Sequence, residues 1–328
     1  MPNRPDVGND LTEKKLAALE KRISSVYSQA AKDMEGKIKA YFESFAARDA
    51  EQKKLLDAGE ITAEQYRQWR LAQIGRGKRY EALRDKLAER MTQANVTAAS
   101  YINDSTPGVY AINRNYTAYT IEQVAGNVGF DLWDEQTVKR QLVLQPDDMP
   151  YYPPERAVQR GFDLAFGKRQ ISAQTTSGIL QGETIKQLSD RLQKNIPDMS
   201  RTSAIRAART ATTAAQNAGR LDCFHSAKQR GIQIEKEWVS TLDDRTRHTH
   251  AMLDGKVVPI DTPFEVDGFR IMFPGDPSAD PSMVYNCRCT MISRIKGVDM
   301  SDAQRRDRNG LGPDMTYQEW EKMKGGGA

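Results

Sequence analysis

Apolar residues recur at Leu16, Leu19, Ile23, Val26, Ala30, Met34, Ile38, Tyr41 and Phe45, each three or four positions after the last. That spacing predicts an amphipathic helix from Thr12 to about Ala47. At about 1.5 Å of rise per residue such a helix spans about 50 Å, more than a compact domain can cover. Its stripe therefore needs a second long helix or a partner protein, and this demand shapes the rest of the fold.

The chain supplies further helices. Asp57-Ala58-Gly59 closes the first helical stretch, and Thr62 with Gln65 forms a capping box that opens a helix through Tyr66, Trp69 and Leu71. Another follows Gly75 and Gly77, with Tyr80, Leu83, Leu87 and Met91 on one side. Ser105-Thr106-Pro107-Gly108 predicts a turn. Helices are expected after it from Val109 to about Gln123 and from Asp134 to Leu144. Prolines at 146, 150, 153 and 154 forbid helix and predict an extended linker over 146–154. Beyond it, helices are expected near Glu155 to Ser177 and from Glu183 to Gln193, the second stopped before Pro197.

Ser200 to Arg230 reads as a helix rich in alanine. Its charges are lopsided, with Arg201, Arg206, Arg209, Arg220, Lys228 and Arg230 against Asp222 alone. Such a face can meet DNA phosphates, an acidic partner or water. Without interleaved aromatics or a groove-reading motif, a protein partner or solvent is the stronger reading.

After Gly231 the period changes to that of strands. Ile232 to Trp238 and Val257-Val258 read as strands, and Phe264 to Phe273 carries the Asp267-Gly268 hairpin signature. A last strand is expected from Met283 to Ile295. Thr316 with Glu319 is another capping box, opening a short helix through Trp320 and Met323. The fold class is therefore α+β: long amphipathic helices first, a small module of short strands afterwards. The expected organisation is a helical region over 1–145, the linker at 146–154, a module over 155–298 with its core at 200–294, and a tail over 299–328.

Hydrophobic residues make up 38% of the chain and charged residues 28%, with a net charge of +4. So small an imbalance argues against a protein that coats nucleic acid over its whole surface. Three cysteines, an odd number in a long chain, fit a reducing compartment. The start has no apolar core of a signal peptide, and no apolar run is long enough to span a bilayer. The expectation is a protein made and folded in cytoplasm, away from membranes.

Two tight pairs hold most of the soft metal ligands: His248 with His250, and Cys287 with Cys289. On an extended backbone, alternate residues point to one side. All four can then close a tetrahedral zinc site across two strands or turns. Cys-x-Cys is a tighter bite than structural zinc sites usually show. The competing reading leaves His248 in solvent, hydrogen-bonds His250 to Asp243 or Asp254, and buries the cysteines as small apolar side chains. A zinc-dependent hydrolase would use Asp243, Asp244 or Asp254 as base. Four protein ligands leave it no open position, and the His-Glu-x-x-His and His-x-Glu with Pro-Cys-x-x-Cys signatures are absent. The chain is expected not to be an enzyme.

Ala208-Arg209-Thr210, Asn217-Ala-Gly219-Arg220, Trp238, Thr241 to Thr246, His250 to Val257 and Asn286-Cys287-Arg288-Cys289 stand in an order and spacing that resembles the phage Mu protein F-like minor head proteins, or phage head morphogenesis proteins. The resemblance covers about Ser200 to Arg294, and Tyr317-Gln-Glu-Trp320 resembles a short motif often found after that domain. It implies a few-copy, non-enzymatic assembly protein of a tailed bacteriophage, made in the bacterial cytoplasm. Its partners would be the portal and the procapsid or scaffold, with viral DNA a further candidate through the arginine-rich helix. Its place would be inside the head near the portal, and some relatives leave the head with the DNA. Family members often carry cysteine or histidine near His248 and His250, although the commoner form there is Cys-x-x-Cys.

Overall fold

The protein's structure, a computed structural model, describes residues 6–144, 164–297, 306–307, 310–311 and 316–325. The linker expected over 146–154 lies outside the described residues, as does the start of the helix expected from Glu155. Helices come first: α1 (Val7–Glu43), α2 (Ala46–Asp57), α3 (Ala63–Gln73), α4 (Lys78–Ala125), α5 (Glu135–Leu144), α6 (Leu164–Leu180) and α7 (Ile185–Gln229). The strand-bearing part then holds β1 (Ile234–Val239), a short helix α8 (His248–Leu253), β2 (Val257–Pro259), β3 (Phe264–Val266), β4 (Phe269–Ile271), α9 (Pro281–Val284) and β5 (Thr290–Ile295). The last helix is α10 (Tyr317–Gly325). The chain is α+β, as its periodicities predict, and no described helix is long and apolar enough to cross a membrane.

Two helices run through prolines where ends were expected. α4 passes Pro107 and α7 passes Pro197. A proline inside a helix removes one hydrogen bond and costs about 3 kcal/mol. Burial outweighs that here, because Ile102, Thr106, Val109 and Tyr110 around the first proline are buried, as are Leu192 and Ile196 before the second.

By packing, the described residues within Glu20–Tyr101 and Glu155–Ile205 form one unit, here the helical unit. Those within Met1–Leu19, Ile102–Pro154 and Arg206–Ala328 form another, here the mixed unit.

In the helical unit the stripe of α1 is covered by the chain itself. Ile23, Ala30, Met34, Ile38, Tyr41 and Phe45 are buried, as are Tyr80, Leu83, Leu87, Met91, Ala94 and Ala98 of α4. Tyr27 donates to Asn95 at 2.7 Å and Arg90 pairs with Asp33 at 2.7 Å, tying α1 to α4. The partner that the stripe demands is thus α4, not a second protein. The capping box of Thr62 and Gln65 opens α3 as expected, with both reciprocal bonds present. Behind it, Arg70 is buried against Asp49 at 3.0 Å.

In the mixed unit β1 is the centre of a three-stranded antiparallel sheet in the order β2-β1-β5, with Trp238 opposite Met291 and Glu237 opposite Val257. β3 and β4 form the expected hairpin, turning at Asp267 and Gly268, whose φ values of 47° and 80° are those of a primed turn. Gly219 on α7 lets the helix press on α4: a Cβ there would lie 2.4 Å from the Tyr110 carbonyl oxygen. Thr316 and Glu319 cap α10 reciprocally, and Trp320 is buried with its indole N–H donating to Glu122 at 2.7 Å.

Candidate metal centre

The small core beneath the sheet is built from Trp238, Leu253, Phe264, Val266, Ile271, Met283 and Val284, and it includes Cys287 and Cys289. His250 joins it from α8. The residues before it, Thr241 to Arg247, make a polar turn in which the Thr246 N–H donates to the Asp243 carbonyl at 3.0 Å. That turn hands the chain to a six-residue helix, which lays His250 and Leu253 inward.

On that helix the alternate residues part. His248 stands exposed at the first position, whereas His250 is 2% exposed, because a step of two residues in a helix turns a side chain through about 200°. The extended backbone that would set both on one side is absent, so His248 does not reach the cluster. Nor do the cysteines sit in a strand: both precede β5, in the loop after α9.

Three groups converge instead of four. His250 Nδ1 lies 3.6 Å from Cys287 Sγ and 3.4 Å from Cys289 Sγ, and the three ligand atoms all fall within 4.8 Å of one another. The Cys289 backbone N–H donates to Cys287 Sγ at 3.4 Å. The carboxylates expected near His250 are engaged elsewhere. Asp254 accepts from the Ser240 backbone N–H at 2.7 Å, and Asp243 holds Arg288 through two bonds of 2.6 Å. Arg288 keeps the Asp243 carboxyl well below the usual carboxylate range. Between the sulfurs, the hydrogen bond from Cys287 and the nearby imidazole draw the Cys289 thiol down, while the same bond and burial push Cys287 up. The His250 ring meets Trp238 edge-on at 5.4 Å, and its Nε2 is buried with no hydrogen-bond partner.

The cysteine loop is irregular. Asn286 takes a left-handed φ of 58°, a conformation that asparagine tolerates better than most residues. Three polar side chains of α7 then fasten the loop. Thr210 accepts from the Asn286 N–H at 3.0 Å, Thr213 donates to the Cys287 carbonyl at 2.7 Å, and Asn217 donates to the Cys289 carbonyl at 3.3 Å. Asn217 also donates to the Pro274 carbonyl at 3.1 Å and accepts from the Met291 N–H at 3.1 Å. From the other side Thr241 donates to the Arg288 carbonyl at 2.9 Å. The sequence places Thr210 and Asn217 in the motifs that carry the resemblance, but their role in fastening the cysteine loop, and Thr213 altogether, went unread. Their signal was there, a row of short polar residues three and four apart on an alanine-rich helix, all buried.

The basic positions of the same helix divide. Arg206 is exposed, Arg209 is half-buried, and Arg201 is half-exposed with Asp198 at 3.1 Å. Arg220 corrects the expectation of a contact face. It is 2% exposed, and its guanidinium donates to Asp6 at 2.8 Å, to Asn113 at 3.1 Å and to the Met291 carbonyl at 3.1 Å. A charge count along a helix misses this, because a guanidinium with enough acceptors can be buried. Lys228 pairs with Asp261, and Arg230 lies over the Phe130 ring at 5.1 Å. The remaining Cys and His stand apart from the cluster: Cys223 is buried in the larger apolar core and His225 is 3.5 Å from Asp261.

Two thiols and an imidazole, dry and held by a fixed loop, form a donor set suited to a soft or borderline metal ion. Residues 169–292, which contain all three, match the family described as Phage Mu protein F like protein. The minor head protein GP7 of Bacillus phage SPP1 is 27% identical over 314 residues, which are 93% of this chain and 92% of that protein. The NAD(+)--arginine ADP-ribosyltransferase EFV of Enterococcus faecalis (strain ATCC 700802 / V583) is 28% identical over 155 residues, 46% of this chain and 31% of that protein. No solved structure matches.

Proposed function

We propose, from the match of residues 169–292 to the Phage Mu protein F like family and the likeness to the SPP1 minor head protein, that this chain is a minor head protein that sits inside a tailed bacteriophage head beside the portal. The observation that carries this reading is the reach of the likeness to the SPP1 minor head protein, which runs over 93% of this chain and 92% of that one. A shared toxin or enzyme domain alone would not give a match of that extent.

The helical unit offers the docking surface. Phe166, Leu180 and Met199 are large apolar side chains left 44–53% exposed on it, and Leu180 borders a groove lined also by Phe42, Leu56 and Tyr66. Exposed apolar side chains around a groove are the usual mark of a protein contact. The role is structural, not enzymatic. Of the three carboxylates that a hydrolase would use as bases, Asp243 and Asp254 are occupied by Arg288 and by a backbone N–H, and Asp244 is exposed on the polar turn. The arginine-modifying activity in the name of the enterococcal relative belongs to a protein of which the match spans 31%.

The test is quantitative mass spectrometry of procapsids purified from the phage that carries this gene, with pull-down on its portal protein. The expected result is a few copies per procapsid and portal capture that Leu180→Asp weakens. Absence from procapsids would overturn the reading, and consumption of NAD(+) by the purified protein would overturn its non-enzymatic part.

A further inference from the structure

We propose that His250 Nδ1, Cys287 Sγ and Cys289 Sγ bind a zinc ion, which clasps α8 to the loop before β5, with a non-protein donor such as water in the fourth coordination position.

The distances fit an ion. Sulfur at about 2.3 Å and nitrogen at about 2.0 Å from a tetrahedral centre stand about 3.5 Å apart. The two nitrogen–sulfur separations here are 3.4 and 3.6 Å. One nitrogen facing two sulfurs at matched distances is not what apolar packing of small side chains would produce. The backbone N–H of Cys289 aimed at Cys287 Sγ stabilises a thiolate, the form in which cysteine binds metal. His250 presents Nδ1 to both sulfurs, while Nε2 has no partner, so the ring is oriented by what lies at Nδ1. All three residues are 2–3% exposed. Two thiolates with an imidazole favour zinc over calcium or magnesium, which take oxygen ligands.

His248 is excluded from the ligand set by its exposure on the outer side of α8, and Cys223 by its burial in a separate core. The site stands on geometry alone and does not depend on the role in the phage head.

Full-length protein purified under reducing conditions and analysed by mass spectrometry for metals tests this. About one zinc per chain is expected, falling by at least about tenfold in Cys287→Ser, Cys289→Ser and His250→Ala and unchanged in His248→Ala and Cys223→Ser. A variant that fails to fold would lose metal for another reason. Wild-type protein stripped by a chelator and titrated with cobalt(II) avoids that: a sulfur-to-cobalt charge-transfer band together with strong visible bands is expected at one equivalent. Zinc-free wild type that also shows no charge-transfer band overturns the proposal. So does loss of zinc in His248→Ala as complete as in His250→Ala, because it would put a different histidine on the ion.

Discussion

In the helical unit, Ile23, Met34 and Ile38 are buried within a long regular stripe. Many near-equivalent contacts share the load there. In the mixed unit, single polar side chains each answer for several backbone groups: Asn217 serves Thr213, Pro274, Cys289 and Met291, and Arg220 serves Asp6, Asn113 and Met291. The first kind of order is spread out and tolerant, while the second is concentrated. A long helix pair can lose a methyl group at one layer and close up partly around the gap. An irregular loop held by one amide leaves unpaired buried groups when that amide goes.

The contrast is open to measurement by denaturant unfolding. Arg220→Ala is expected to cost the most, about 3–5 kcal/mol, because it strands the buried Asn113 amide and the Met291 carbonyl and leaves the half-exposed Asp6 carboxylate without its cation. A loss below about 1 kcal/mol there would put Arg220 among the weak surface pairs and break the comparison. Asn217→Leu, close in volume, should cost about 2–4 kcal/mol through the groups it leaves unpaired.

Lys236 gives a pH-dependent version of the same idea. It is fully buried in β1, donating to the carbonyls of Ile260 and Met272, and burial pulls its pKa down to about 8. The folded protein therefore holds that proton less tightly than the unfolded chain does. The penalty for burying the charge is fully present below about 8 and is relieved as pH rises from there toward the ordinary lysine value of about 10.4. Relative to Lys236→Met, the wild type should gain stability across that window, on the order of 3 kcal/mol. A difference between the two that does not change with pH would mean that the amine titrates normally.

Smaller effects are expected in the helical unit. Ile38→Val should cost about 0.5–1.5 kcal/mol, since neighbouring layers remain. Thr62→Ala, which removes the exposed capping box of α3, should cost about 1 kcal/mol. If Ile38→Val matched Arg220→Ala, the two units would be equally brittle.

What could be read in the sequence follows the same division. The α1 stripe, the Thr62 and Thr316 capping boxes and the Asp267-Gly268 hairpin are local patterns, and the structure contains them. The meeting of His250 with the two cysteines was legible as well, because few residue types gather that way. Three things were not. Pro107 and Pro197 read as breaks since the local sequence does not reveal that the residues beside them, such as Tyr110 and Ile196, are buried. His248 was read with His250 because a period of two holds only on extended backbone, and the local fold is helical. Arg220 was read as surface since its acceptors lie 107 and 214 residues away in sequence.

Thr210, Thr213 and Asn217 share a single rigid rod, and that has a consequence for how an ion would arrive. They fasten the loop at three points, so the two sulfurs would already be held close to His250 before any ion arrived. Little chain entropy is then left to lose on capture, and the gain in free energy goes into affinity instead of ordering. A helix without a ligand atom of its own would in this way set how tightly the neighbouring thiols hold their guest.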